Sequence, residues 1–231
     1  MSHLTRSPLR RRARAAGLHA LMCALVVLSL PAAARGQDRA AQALETASRR
    51  YQEFSTLCAD FKQVLTVTLL GDRRESRGEL CQRRPNLFFM RFSDPEGDAV
   101  VADGSHFWIY YPSMNPGQVL KLPLDPSRGG LDFYREFLDR PDEKYDATLE
   151  GEEVVTGRNT VRIALRPREP RGYRTARVWI DPAQGMIRQV EINEDNGTIR
   201  LLTLDAIRVD PPLAEGAFTF PVPEGVRVIS R

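Results

Sequence analysis

Apolar and polar positions alternate first with a helical period and then, along most of the chain, with a period of two. "RAAQALETASRRYQEF" has apolar residues at 40, 41, 44, 47, 51 and 54, the spacing that places them on one face of an amphipathic helix. In "FKQVLTVTL", Phe61, Leu65, Val67 and Leu69 lie opposite Asp60, Lys62, Thr66 and Thr68, which predicts a half-buried strand. The pattern returns in "TVRIALR", with Val161, Ile163 and Leu165 against Arg162 and Arg166, and in "ARVWI", with Ala176, Val178 and Ile180 against Arg177. Such strands build a sheet with one solvated and one apolar face.

Turn chemistry joins these strands. "ADGSH", "DPAQG" and "EDNGT" lie between apolar runs, and Asn196-Gly197 predicts a hairpin with a type I′ turn, which needs positive φ at both central residues. "GDRRES" reads as the turn of another hairpin. Strands in sequence order joined by tight turns give an antiparallel meander. A second helical stretch, "GLDFYREFLDR", clusters Leu131, Phe133, Tyr134, Phe137 and Leu138 on one broad face. No repeat or linker divides the chain, so residues 37–231 read as one domain. Its densest apolar segment, "GELCQRRPNLFFMRF", sets Leu87, Phe88, Phe89, Met90 and Phe92 directly behind Arg83, Arg84 and a proline.

Residues 1–36 belong to a different class. Arg6, Arg10, Arg11, Arg12 and Arg14 precede the apolar run "LHALMCALVVLSL", and "PAAARGQ" offers small residues for cleavage after Ala34 or Gly36. This is the layout of a secretory signal. The alternative is an amino-terminal membrane anchor, against which Pro31 and the small-residue run argue. The 33 Lys and Arg include six in residues 1–36, where there is no acid, which leaves 27 basic against 30 acidic residues and a net charge of −3. Nucleic-acid binding thereby loses its support.

Export leaves Cys58 and Cys81 in an oxidising compartment, where two cysteines tend to pair. A hairpin turning at "GDRRES" opposes this. It would set Cys81 against a residue near 65, about 20 Å along a flat strand from Cys58, and only a coiled or bulged strand would bring the two together. The pairing therefore stays open at this point.

Candidate catalytic chemistry is sparse. His106 is the one histidine of residues 37–231, and no His, Cys and acid cluster has metal-ligand spacing. "DGSHFW" holds Asp103, Ser105 and His106, but strand neighbours point to opposite faces and cannot align as nucleophile, base and orienter. The stretch reads as a hairpin turn. No nucleophile elbow, phosphate loop or dinucleotide fingerprint is present. The expectation is a non-enzyme with no cofactor and no metal.

"RRPNLFFMRF", then "DPEGDAVVADGSHFWIYYP", then "FTFPVPEGVRVI" together resemble the periplasmic lipoprotein carrier family, LolA. The family's pattern is a strand ending in a basic residue and proline, an aromatic strand, a DG turn followed by W.Y, and a terminal aromatic, proline and GV segment. The resemblance covers nearly all of residues 40–231. It implies a mainly β fold, a single unclosed antiparallel β-barrel whose α-helical lid encloses a hydrophobic cavity for acyl chains.

Residue by residue, Arg84 falls on the family's basic position before proline, Phe88 and Phe92 on its aromatic strand, and Trp108 and Tyr110 on its W.Y. The resemblance thus implies a cavity lined by Phe61, Leu65, Phe88, Met90, Phe92, Trp108 and Tyr110. Phe133 and Phe137 would lie in the lid, where the loop "LPLDPSRGGLDFYREFLDRPDEK" diverges from the family, and Arg84 would act as the switch between lid and transfer. Cys58 and Cys81 also depart from the family pattern. The partners implied are an acylated lipoprotein cargo, an inner-membrane lipoprotein-releasing transporter as donor, and an outer-membrane receptor or membrane as acceptor, with the carrier a monomer. A carrier of another amphiphile, such as a glycolipid or aryl lipid, and a lipid-sensing module of the same fold are the alternatives.

Overall fold

A computed structural model describes residues 32–124 and 132–230. Most of the predicted export signal, and Leu131 of the second helical stretch, lie outside the described residues. Helix α1 (Ala32–Gln52) buries Ala40, Leu44, Ala47 and Tyr51 of the face that its periodicity predicts, but Ala41 is exposed and Ala43 is buried instead. Twelve strands follow among the described residues: β1 (Thr56–Val67), β2 (Asp72–Arg83), β3 (Leu87–Asp94), β4 (Glu96–Asp103), β5 (His106–Tyr110), β6 (Gln118–Pro123), β7 (Tyr145–Val155), β8 (Arg158–Pro167), β9 (Tyr173–Asp181), β10 (Met186–Glu194), β11 (Thr198–Val209) and β12 (Arg227–Ser230).

All twelve form one sheet in the order β12-β6-β5-β4-β3-β2-β1-β11-β10-β9-β8-β7. Neighbours are antiparallel except β12 and β6. β7 and β12 are the two edges and do not pair with each other, so the barrel is unclosed as expected. Helix α1 packs across β7, β8, β9 and β10, while register shifts at Cys58/Asp60, Arg77/Gly78 and Arg91/Ser93 coil the rest of the sheet. At one of these shifts the backbones nearly touch. A Cβ on Gly78 would stand 2.0 Å from the Arg91 carbonyl oxygen, so only glycine fits there.

The β1–β2 hairpin corrects the predicted turn. Its turn is Thr68–Gly71, and "DRRES" belongs to β2, where its charges make ion pairs such as Lys62–Glu75 at 3.0 Å and Arg74–Asp72 at 2.7 Å. Charged residues at a wet strand end resemble a turn because both are solvated. The shifted register sets Cys58 directly opposite Cys81, and the two form a disulfide. The Asn196-Gly197 hairpin is present, but only Gly197 has positive φ, and the Gly197 N–H donates to the Glu194 carbonyl at 3.0 Å. That is a type I turn closed by a left-handed glycine rather than type I′.

The sheet is apolar on both faces over its first half. The inner face holds the main cluster, including Leu57, Phe61, Leu80, Phe88, Met90 and Phe92. On the outer face Cys58, Cys81, Phe89 and Val101 form a second cluster beneath Phe218. The unbroken run Leu87-Phe88-Phe89-Met90 follows from this arrangement, since a strand buried on both faces has no polar alternation to show.

Candidate functional site

The inner face of the coiled sheet, where α1 leaves it uncovered, bounds a cavity of about 300 Å³. Phe88 and Met90 of β3 and Val100 of β4 form one wall, and Val190, Ile192 and Leu202 of β10 and β11 the opposite one. Phe107, Ile109 and Tyr111 extend the first wall, and Phe133 and Phe137 lie across the opening. One end is polar. There Arg200 donates to Gln63 Oε1 at 2.9 Å and to Glu194 Oε1 at 3.1 Å, and Gln63 donates to Ser76 Oγ at 3.2 Å. Burial raises the Tyr111 phenol pKa against the opposing pull of the Arg200 charge.

Phe133 immediately precedes, and Phe137 lies within, a single π-helical turn, Tyr134–Leu138, shorter than the helix predicted over "GLDFYREFLDR". It is closed by an N–H bond from Asp139 to the Tyr134 carbonyl at 2.7 Å. A short helix, α2 (Pro141–Lys144), follows. The turn is fastened on both sides. On one, the Phe133 N–H donates to Gln82 Oε1 at 3.3 Å, and Arg135 donates to Asn86 Oδ1 at 3.2 Å and to the Pro85 carbonyl at 3.1 Å. On the other, the buried Glu136 carboxylate accepts from Tyr173, with Tyr145 Oη at 3.0 Å and Arg171 Nη1 at 3.7 Å. Burial, with the carboxylate beside them, holds both phenols above their ordinary pKa. π-Turns of this kind recur at functional sites.

Arg84 stands where α1, the lid turn and β2 meet. Its guanidinium donates to the Phe54 carbonyl just past the end of α1, and lies 5.2 Å from the centre of the Tyr134 ring. Tyr134 Oη in turn accepts from Gln52 Nε2 at 3.0 Å. Arg83 instead faces outward, donating to Thr56 Oγ1 at 3.1 Å and lying 5.3 Å from the Phe218 ring.

Of the residues implied as cavity lining, the structure brings Phe88, Met90, Phe133 and Phe137 together. Phe61 and Phe92 pack edge to face at 5.2 Å in the adjoining core. Leu65 is half-buried and pairs with Arg200 at the polar end. Trp108 and Tyr110 are a correction, because both point to the outer face, where Phe220 packs at 5.7 Å from each ring. Their neighbours Phe107, Ile109 and Tyr111 take the inner face, as alternation along a strand requires. Pairing carried the missed signal: Phe88 opposes Ala102, and Ala102 opposes Phe107 across the DG turn, so the parity of Phe88 passes to Phe107. Gln63 and Arg200, polar residues inside an apolar face, carried no such signal.

Asp103 has the role of a turn residue. It accepts from the N–H groups of Ser105 at 2.9 Å and His106 at 2.7 Å and from Trp108 Nε1 at 2.7 Å, and His106 Nδ1 lies 3.9 Å from its Oδ2. Among the described residues no cluster of His, Cys, Asp and Glu could hold a metal ion, and no helix is long and apolar enough to cross a membrane.

Residues 52–221 match the family described as outer membrane lipoprotein carrier protein LolA. Similar proteins include an outer-membrane lipoprotein carrier protein from Alkalilimnicola ehrlichii, 27% identical over 79% of this chain and 81% of that one. Another is the outer-membrane lipoprotein carrier protein of Aeromonas salmonicida, 26% identical over 81% of this chain and 89% of the other. Among solved structures, an uncharacterized conserved protein from Thermus thermophilus shares the fold with a TM-score of 0.53 at 15% identity, over 84% of this chain and 99% of that one. With the family's pattern matched over most of its length, the chain belongs to the outer membrane lipoprotein carrier family, LolA.

Proposed function

We propose that the protein is a periplasmic carrier that shields the acyl chains of lipoproteins between the inner and outer membranes. The observation that supports this most directly is an apolar cavity between the inner face of an unclosed sheet and a small lid fastened by side-chain bonds. An exposed acyl chain of about 15 methylenes costs on the order of 12 kcal/mol in water, at about 0.8 kcal/mol per methylene. A triacylated protein therefore needs shelter to cross an aqueous space. At about 300 Å³ the closed cavity is at the lower end of ligand pockets, and an unclosed sheet can widen as the lid lifts.

In this reading Phe133 and Phe137 cover the acyl chains, and Arg84 holds the lid to the end of α1 until transfer. The donor is an inner-membrane lipoprotein-releasing transporter and the acceptor an outer-membrane receptor or membrane, with the carrier acting as a monomer. The test is saturable binding of a fluorescent apolar probe, with mass spectrometry of organic extracts of the purified protein. Acylated peptides or diacylglyceryl groups are expected. Absence of both probe binding and extractable lipid would remove the carrier reading, and a glycolipid or aryl lipid would redirect it.

A further inference from the structure

The most exposed large apolar side chains among the described residues gather at one end of the sheet. Leu69 and Leu70, in the turn between β1 and β2, keep 85% and 79% of their surface in water, and Met114, between β5 and β6, keeps 70%. Arg74 Nη1 lies 4.0 Å from Met114 Sδ, and Thr68 Oγ1 donates to the Gly197 carbonyl at 2.8 Å. The β1–β2 turn, the loop holding Met114 and the β10–β11 turn therefore stand side by side. Hairpin turns ordinarily use Gly, Asn, Asp or Ser. This one puts two leucines at its tip, and neither packs in either apolar cluster.

The polar end of the cavity is at the same end of the sheet. Leu65 pairs with the cavity residue Arg200, and Leu69 lies four residues beyond Leu65, at most about 13 Å away at 3.3 Å per residue. Tyr111, also in the cavity wall, accepts from the Met114 N–H at 3.0 Å. We infer that the β1–β2 turn, with Met114 beside it, is a membrane-docking tip. Leu69 and Leu70 enter the headgroup and acyl boundary of a bilayer and bring the polar end of the cavity against it.

The shape and the charge favour a bilayer over a protein. Apolar side chains projecting from turns are far smaller than the roughly 800 Å² per partner of a stable protein interface, whereas reversible membrane contact gains with each methylene buried. Arg73 and Arg74 follow the leucines after Gly71 and Asp72, and their long stems can lie along the inserted tip with the guanidinium groups among lipid phosphates. The neighbouring acids do not make the tip anionic, since Glu75 is 2.9 Å from Arg73 and Asp72 is 2.7 Å from Arg74. This surface adds to the carrier reading and does not depend on what the cavity holds.

The test is flotation of the protein with vesicles of phosphatidylethanolamine and phosphatidylglycerol, comparing wild type with Leu69→Ser/Leu70→Ser and Arg73→Gln/Arg74→Gln. Both pairs are exposed, and far-ultraviolet circular dichroism checks that each variant is folded. Wild type is expected to float, the serine variant to lose at least about tenfold in partitioning, and the glutamine variant to lose less. Failure of wild type to float overturns the inference. So does unchanged flotation of the serine variant, or binding that high salt abolishes in wild type and variant alike, since charge alone would then be responsible. Self-association of wild type that the serine substitutions remove, without vesicle binding, would assign the tip to a second copy of the chain. Apolar-probe binding in the same samples keeps the two readings apart, because losing it while flotation persists counts against the carrier and not the tip.

Discussion

The Arg84 guanidinium lies 5.2 Å from the centre of the Tyr134 ring while donating to the Phe54 carbonyl, so one side chain ties the lid to the end of α1. The bond to Phe54 holds the guanidinium in place, and the cation over the Tyr134 ring is the contact that breaks if the lid turn swings away. A desolvated contact of this kind amounts to about 2 kcal/mol. Arg84→Leu is expected to shift the balance toward the open lid and change release to the acceptor by more than tenfold, with a smaller effect on uptake. Arg84→Lys keeps the charge without the planar group and is expected to fall between. A reconstituted assay that scores uptake and release separately measures this, and wild-type values in both steps would leave Arg84 a surface residue.

Phe133 and Phe137 meet the cavity from the lid side, and the lid turn is fastened to the sheet by Gln82, Pro85, Asn86 and Glu136 rather than by these rings. Replacing both with Glu sets charges against the acyl chains at a cost of several kcal/mol, while the strands persist. Apolar-probe uptake is expected to fall to background with the far-ultraviolet spectrum unchanged. Full uptake in the double variant would show that the turn packs as plain support.

The disulfide joins residues already paired in register on adjacent strands, so it ties together nothing that lid opening would separate. Its effect falls on the unfolded chain. Closing a loop of 23 residues stabilises by about 3 kcal/mol, or roughly 10 °C of melting temperature for a domain of this size. Cys58→Ala/Cys81→Ala is expected to melt lower by that amount and to bind apolar probe with unchanged affinity. A weakened affinity would mean that the bridge shapes the cavity.

Local chemistry carried most of the fold. Alternation identified β1, β8 and β9, and the DG, DPAQG and NG turns marked three hairpins, because strand faces and turn backbones depend on residues only a few positions apart. The errors arose where one local pattern serves two structures. "DRRES" is polar because it ends a wet strand, and Gly71, with φ of +63°, closes the turn before it rather than opening one. Trp108 and Tyr110 are apolar because Phe220 covers them from the far end of the chain, and that contact leaves no periodicity to read. The same covering explains why "LFFM" showed an apolar run without showing which of its residues face the cavity.

Asp132 gives the lid a pH dependence. Its carboxylate accepts from the N–H groups of Tyr134 at 3.0 Å and Arg135 at 3.3 Å, which caps the lid turn. Burial nevertheless raises its pKa above the ordinary value and outweighs those two bonds and the charges of Arg135 and Arg84. The folded protein thus holds this proton more tightly than the unfolded chain does. The stability it contributes is fully present below the unfolded carboxylate pKa of about 3.9 and is lost as pH rises through the raised folded value. Asp132→Asn keeps an oxygen to cap both N–H groups and removes the charge, so it is expected to gain stability relative to wild type as pH rises across that window. Urea unfolding of both proteins at a series of pH values measures the difference, in which the other titrating groups cancel. A difference that stays constant with pH, or that grows as pH falls, would show that Asp132 is ionised at no cost in the closed lid.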